Sequence, residues 1–403
     1  MQPTLNYVPR SKSYSYLAAL ILALFFIPVK VSTFGVKLAL SDIASLASLG
    51  LSLLIILEGK ATKLYHPFFG FILCFIAYIG LNGLLNQVPA RFVITEVIQW
   101  LAILSLLSIL YAYKCFEDKL TIICFIQWLF LICFVVAAWH FIQGYQSGFK
   151  LLGTSKYAFG ALCALLYIYR NHVPWFKVMM LCAFAMLILS QERKALLAFF
   201  CMVTFDQVIL QKELNKRSSN LHFVLLISTF LLIALAFWSF FLYFGSEQLS
   251  ELLEITREDI VFANQSEARW VSNLHRKLLL VNGTDILMNN IMLGVGAKML
   301  PSYMINYFTY DQLAIYTHNF ILDTSIEYGV IGIALLFGGY LSFILKGLKT
   351  LDKNRSTVLL SVYALIMVFF VAVNTTIILL LLIPVAMSQH SHVFKSKFTA
   401  ISE

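Results

Sequence analysis

The sequence is poor in charged residues and has only one long polar segment. Only 12% of its 403 residues are Asp, Glu, Lys or Arg, whereas 60% are apolar and 15% are aromatic, and the mean hydropathy is +0.84. An ordinary soluble domain has about 25% charged residues. The composition therefore excludes a soluble protein and predicts an all-α, polytopic membrane protein.

Features that would indicate other classes of protein are also absent. The sequence has no clear internal repeat, no low-complexity segment and no Gly-rich phosphate loop. None of the seven cysteines lies in the long polar segment, which argues against a disulfide framework or a CxxC metal site. The net charge of +9 does not indicate a nucleic-acid partner, because short basic loops facing lipid headgroups account for most of it.

Twelve apolar runs are long enough, or nearly so, to cross about 30 Å of hydrocarbon as helices. They lie near residues 14–30, 37–57, 66–86, 95–112, 119–144, 153–170, 174–190, 194–211, 221–245, 326–346, 357–373 and 375–388. No cleavage pattern follows the first run, so we interpret it as a retained span and not as a signal peptide. The predicted organisation is spans 1–9 in 1–245, a loop with interfacial helices in 246–325, and spans 10–12 with a cytoplasmic tail in 326–403.

The basic residues predict the orientation of these spans, because loops retained in the cytoplasm carry an excess of Lys and Arg. With twelve spans, one side of the membrane holds 17 of the 29 basic residues, in seven short segments. Both termini are then cytoplasmic, and the large loop between spans 9 and 10 faces outward. Arg193 and Lys194 lie on that outer side against the charge rule, which suggests an anionic group to bind.

His318 stands where the polar segment 246–317 meets the next apolar run. A neutral imidazole near pH 7 can act as a general base toward a hydroxyl group, although a lone interfacial histidine is also a common helix-capping residue. In a continuous helix, Asn319, Asp323 and Glu327 share one face. Glu327 would then lie about 180° from His318, unless the helix begins later.

Arginines offer candidate anion ligands in two places. Arg193 is either a boundary residue that snorkels to the interface and pairs with Glu192, or a ligand for a diphosphate, which suits the fork of a guanidinium. Arg269 and Arg276 are seven residues apart in the loop, so one helical face can carry both.

Apolar residues at 278–281, 286–288 and 291–293 predict one or two amphipathic helices in this loop, lying at the membrane interface. Lys150, Lys156 and Arg91 fall on the same outer side. They either add charge around a diphosphate or are ordinary loop residues.

Three separated motifs together resemble the O-antigen ligase and polymerase superfamily of bacterial inner-membrane glycosyltransferases. They are R-x-x-x-L at Arg193–Leu197, H-N-x(9)-G at His318, Asn319 and Gly329, and the loop's Arg269-Trp270 with Leu-Gly-Val-Gly at 293–296. The resemblance covers roughly residues 153–332, and twelve spans with one large outer loop fit it. The chain departs from the family at Glu192, where serine is common; an acid there would weaken the charge of Arg193.

The resemblance implies that a glycan is transferred, with inversion and without a metal or other cofactor, from an undecaprenyl-diphosphate donor to a sugar hydroxyl at the periplasmic face. The implied site comprises His318 as base, Arg193, Arg269 and Arg276 on the diphosphate, and Asn319, Trp270, Glu327 and Gly329 as supporting residues.

The acceptor distinguishes two activities within this superfamily. Lipid A–core is the acceptor of an O-antigen ligase in lipopolysaccharide biosynthesis, which is our prediction. A growing glycan chain is the acceptor of an O-antigen, capsular or exopolysaccharide polymerase, the alternative. A lipid-linked oligosaccharide flippase is the competing class, but transporters tend to have internal repeats and midplane charges, whereas this chain concentrates its polar groups at the outer face.

Overall fold

The computed structural model of the protein describes residues 12–27, 30–33, 36–58, 67–116, 118–142, 156–190, 192–207, 268–308, 314–348, 355–371 and 375–387. These residues are helical apart from turns and one antiparallel hairpin of β1 (Lys30–Thr33) and β2 (Val36–Ala39). The all-α fold class is therefore confirmed, and the short hairpin is the departure from it among the described residues. The second apolar run, predicted from residue 37, becomes helical only at Leu40.

The helices of the described residues are numbered here in chain order. They are α1 (Lys12–Phe25), α2 (Leu40–Leu57), α3 (Pro67–Leu85), α4 (Ala90–Ala112), α5 (Lys119–Ile142), α6 (Lys156–Ile168), α7 (Phe176–Leu189), α8 (Arg193–Phe205), α9 (Ala268–Asn289), α10 (Leu300–Met304), α11 (Phe320–Leu348), α12 (Arg355–Phe370) and α13 (Thr375–Met387).

Helices coincide with eleven of the twelve predicted runs, and the ninth run, 221–245, lies outside the described residues. Among the described helices, four are long and apolar enough to cross a membrane: α2, α4, α5 and the first part of α11, Phe320–Tyr340. The remaining apolar helices do not meet these criteria over their described residues, so twelve crossings stay a prediction. Large apolar side chains on several helices are exposed, including Leu57 at 73%, Leu84 at 79% and Leu181 at 70%. Such surfaces suit a membrane protein, in which lipid covers them.

The chain divides into two compact units. The first comprises Met1–Met202, Ala334–Val368 and Asn374–Glu403. In this unit α6, α8 and α12 meet at Gly160, where an added Cβ would lie 2.4 Å from the Tyr363 hydroxyl oxygen and 2.7 Å from Ala195 Cβ. Only a residue without a side chain allows the three helices to approach so closely.

The second unit comprises Val203–Ile333 and Phe369–Val373. Its described part has a hydrophobic core of its own, made by α9, the segment 294–308, Ala314 and the start of α11. The buried members are Leu279, Ile286, Val295, Leu300, Met304, Phe308, Ala314 and Ile326. The predicted loop is therefore a folded body and not only a set of helices lying on lipid.

Two side-chain contacts tie the segment 294–308 to α9 at the edge of this core. The rings of His275 and Phe308 meet edge to face with their centroids 5.5 Å apart. The Tyr307 hydroxyl donates a hydrogen bond to the Asp285 carboxylate, and this bond, with burial and the negative charge, raises the pKa of Tyr307. The first two apolar groups predicted for this region lie together on α9, but residues 291–293 form a turn and not a helix.

Candidate functional site around His318

The helix α11 begins directly after the pair His318-Asn319, and Asn319 caps it. The Asn319 side-chain oxygen accepts a hydrogen bond from the Leu322 amide at 3.1 Å, and its carbonyl accepts one from the Asp323 amide at 2.8 Å. Asparagine is among the best N-cap residues because its short side chain satisfies an amide that has no partner within the helix. The sequence left open whether one continuous helix includes His318 and Asn319; it does not, because α11 begins at Phe320. The helical spacing that would separate His318 from Glu327 by about 180° therefore does not apply.

Thr317 is held to the first turn of α11 by Asp323. The Thr317 amide and hydroxyl both donate to the same carboxylate oxygen of Asp323, each at 2.7 Å. Asp323 is 0% exposed and Thr317 is buried. A carboxylate near a helix N-terminus also interacts favourably with the helix dipole. Both chain neighbours of His318 are therefore anchored to α11.

His318 itself adopts a left-handed backbone conformation, with φ 62°, and its side chain is half-buried. A residue with a side chain loses on the order of 1–3 kcal/mol in such a conformation, which persists only where the surroundings enforce it. The bonds of Thr317 and Asn319 provide that enforcement. The result is an imidazole displayed at a helix N-terminus from a rigid turn.

The helix α11 is interrupted at Gly329, whose φ of 63° and ψ of −170° are not helical. At this interruption, residues of the Leu-Gly-Val-Gly stretch form backbone hydrogen bonds with α11. The amides of Val295 and Gly296 donate to the carbonyls of Ile326 and Glu327, each at 2.8 Å. In return, the Val330 amide donates to the Ile291 carbonyl at 2.9 Å.

The glycines at this junction leave no room for side chains. A Cβ on Gly329 would lie 2.2 Å from the Met292 carbonyl oxygen, and a Cβ on Gly294 would lie 2.6 Å from the Glu327 carbonyl. Both glycines also have positive φ angles. The two glycine-containing motifs, separate in sequence, thus form one interlocked backbone junction, and the buried Glu327 belongs to it.

The helix α9 crosses α11 beside the His318 turn. An added Cβ on Gly283 would lie 2.7 Å from the Thr317 methyl group and 3.2 Å from the Ile326 side chain. Arg276 and Arg269 are seven and fourteen residues before Gly283 on the same helix, which places them within about 20° and 40° of its face in the helical register. The prediction that one helix carries both arginines is confirmed. The Arg276 side chain is exposed, whereas the side chains of Arg269 and Trp270 lie outside what the structure describes.

Arg193 is the first residue of α8, in the first unit, and its side chain lies outside the described part of the structure. The Glu192 carboxylate forms an ion pair with Lys156, the first residue of α6. Lys156 is therefore helical, not a loop residue as one interpretation had it. Arg91 is exposed on α4, with its guanidinium 4.7 Å from the Phe92 ring centroid, and Lys150 lies outside the described residues.

Sequence reasoning missed the roles of Thr317, Asp323, Gly294 and Gly296. Asp323 was recognised only as a member of a polar helix face. A threonine two residues before an N-cap asparagine, with an aspartate in the following turn, could have indicated the pair of hydrogen bonds from Thr317 to Asp323, called the Thr317 clamp below. No sequence signal indicates that the two glycine motifs interlock, because more than thirty residues separate Gly294 from Gly329.

A comparison with known protein families matches the region that contains these residues. The sequence model of the O-antigen ligase family matches residues 178–337, a range that includes Arg193, Arg269, Arg276, His318 and Gly329. No curated protein matches the chain. The match confirms the resemblance indicated by the motifs, and the apolar helices agree with it. Residues 178–337 are thus similar to the O-antigen ligase family, and the apolar helices are those of a membrane protein.

Proposed function

We propose that the protein transfers a glycan from an undecaprenyl-diphosphate-linked donor to a sugar hydroxyl of lipid A–core, at the periplasmic face of the bacterial inner membrane. The observation that carries the proposal is the His318 turn. The backbone of His318 is held in a strained conformation by its two anchored neighbours, within the segment that matches the O-antigen ligase family. Strain of this kind concentrates at functional sites.

In the proposed reaction His318 acts as the general base. The acceptor hydroxyl gives its proton to the imidazole as its oxygen attacks the anomeric carbon of the donor. The bond from that carbon to the diphosphate oxygen breaks, and its electron pair leaves with undecaprenyl diphosphate. A single displacement of this type inverts the anomeric configuration. General base catalysis contributes about 10²–10⁴-fold in rate.

The leaving group accumulates negative charge, so the site needs cations more than a strong acid. Arg193, Arg269 and Arg276 are the proposed ligands of the diphosphate, because a guanidinium binds phosphate oxygens through two parallel charged hydrogen bonds. Such preorganised charge is most effective where water is excluded. Arg276 supports this assignment: its Cα is about 10 Å along α9 from Gly283 at the helical rise of 1.5 Å per residue, and Gly283 contacts Thr317.

The remaining site residues support the base. Asn319 caps the helix that displays His318, Gly329 forms the junction that positions this helix, and Glu327 lies buried in the same junction. Trp270 stands next to Arg269 on α9 and is proposed to contact the substrate. The proposed topology places the loop 246–325 on the periplasmic side, with both termini in the cytoplasm, and rests on the distribution of basic residues.

The experiment that tests the function uses purified protein in detergent, a lipid-linked glycan donor and a lipid A–core acceptor. We expect the complete glycan to appear on lipid A–core, with release of undecaprenyl diphosphate. A strain lacking the protein should accumulate lipid-linked polymer and lack glycan on lipid A–core. Lipid A–core bearing a single repeat would instead indicate a polymerase, and repeat units retained in the cytoplasm would indicate a flippase.

A further inference from the structure

A buried ion pair lies next to the position of Arg193. The Lys156 and Glu192 side chains are only 11% and 6% exposed, and their charged groups are in direct contact. Removing two charges from water costs several kcal/mol per ion before their attraction offsets it. A pair of this kind is therefore weak evidence of a role in stability and needs another explanation.

The pair fixes the start of the helix α8. Glu192 precedes its first residue, and the Glu192 carbonyl accepts a hydrogen bond from the Leu196 amide at 3.2 Å. One turn further along α6 from Lys156, Gly160 packs against Ala195 of α8. Lys156 and Gly160 are four residues apart and share one face of α6. The helix that begins with Arg193 is thus held to α6 by an ion pair and by a close backbone contact.

The position of Glu192 creates a problem for anion binding. A carboxylate adjacent to Arg193 in the chain competes with a substrate diphosphate for the same guanidinium, and this competition is strong where solvent is scarce. Lys156 supplies the Glu192 carboxylate with a different cation. We infer that Lys156 is a positioning residue that keeps Glu192 engaged, so that Arg193 stays available to the donor diphosphate. The inference rests on the proposed function and adds to it a requirement for a partner cation.

The inference predicts that one substitution rescues another. Lys156→Met leaves Glu192 without its cation, so the carboxylate turns to Arg193, and the KM for the lipid-linked donor should rise about tenfold, equal to about 1.4 kcal/mol. The kcat at saturating donor should change little, because the substitution weakens binding of the ground state and of the transition state equally. Adding Glu192→Gln to this variant removes the competitor, and the donor KM should return to within about twofold of wild type. Glu192→Gln alone should also stay within about twofold.

A purely structural role of the pair gives a different pattern. If the double variant binds the donor as poorly as Lys156→Met, or if Lys156→Met leaves the donor KM unchanged, the inference is wrong. The charge swap Lys156→Glu with Glu192→Lys provides a second test, should Lys156→Met not fold. The swap keeps the ion pair and places a cation beside Arg193, so the donor KM should equal that of wild type or fall below it. A tenfold rise in the swap would instead identify Lys156 as a direct ligand of the donor and overturn the inference.

The same experiment separates this inference from the proposed function. Wild-type protein that transfers no glycan to lipid A–core contradicts the proposed function, whatever the variants do. Wild-type protein that transfers glycan, with additive effects of the two substitutions, contradicts only the role of Lys156. Thermal unfolding in detergent, measured for each variant, shows whether a change in KM accompanies a loss of folded protein.

Discussion

Replacing Gly329 with alanine tests the backbone junction separately from the rest of the fold. The conformation of Gly329, φ 63° and ψ −170°, is essentially restricted to glycine and costs other residues about 1–3 kcal/mol. The new Cβ would also lie 2.2 Å from the Met292 carbonyl oxygen and 2.8 Å from the Gly294 amide nitrogen. These are backbone atoms that cannot rotate away, so the segment 291–296 must move.

That movement should break hydrogen bonds as well as relieve the clash. Three backbone bonds join residues 291–296 to α11, and each contributes about 1 kcal/mol net. Together, strain and lost bonds predict that Gly329→Ala destabilises the second unit by about 4–6 kcal/mol. Because the junction lies ten residues after Asn319 on the same helix, the His318 turn should shift with it. A displacement of about 1 Å at a reacting group is enough to lower a rate about 100-fold.

The assay is thermal unfolding in detergent, combined with hydrogen exchange of α11 and the rate of glycan transfer. Gly338→Ala is the matched control, because Gly338 lies on the same helix with nothing within 4 Å of its added Cβ. This control should be neutral or stabilising by up to about 1 kcal/mol, since alanine is the better helix former. Equal unfolding temperatures and equal transfer rates for the two variants would refute the argument from the junction.

Three further predictions concern charge, topology and the Thr317 clamp. Arg193→Ala should abolish transfer although the protein still inserts, and Arg193→Lys should restore little, because an ammonium lacks the planar two-donor fork; near-normal glycan output from Arg193→Ala at equal expression would exclude the diphosphate role. In a cysteine-free background, Ser302→Cys should react with an impermeant maleimide in spheroplasts and Ser396→Cys should not, and reversed labelling would invert the topology. Asp323→Asn should lower the stability of the second unit by about 1–3 kcal/mol, since Thr317 loses a charged acceptor, and an unchanged unfolding temperature would contradict the clamp.

The sequence predicted the helices well because their cause is local. Apolar runs longer than about 17 residues must become helices in lipid, and eleven of the twelve runs coincide with helices among the described residues. The sequence did not predict the hairpin β1–β2, because its strands are only four residues long and one of them overlaps an apolar run. Periodicity also does not show where a helix begins. The start of α11 is determined by the cap at Asn319.

The site was only partly predictable, because much of it depends on contacts between distant segments. The motif H-N-x(9)-G identified His318 and Gly329, but it did not indicate that the helix is interrupted at Gly329. In the structure, residues 294–296 enter an interrupted helix there. The pairing of Lys156 with Glu192 joins residues 36 positions apart, and nothing in the composition near Arg193 indicates it. Local patterns thus identified candidate residues, while tertiary contacts determined what holds them.

The most direct test of the account is the pH dependence of glycan transfer by wild type and by His318→Gln. Wild type should lose activity as the pH falls from about 8 to about 5, because a protonated imidazole cannot accept the proton of the acceptor hydroxyl. His318→Gln can still donate and accept hydrogen bonds but cannot take that proton, so its rate should be about 10²–10⁴-fold below that of wild type at about pH 8 and should change little with pH. A glutamine variant that keeps most of the activity, or a wild-type rate that does not change over this range, would contradict His318 as the base.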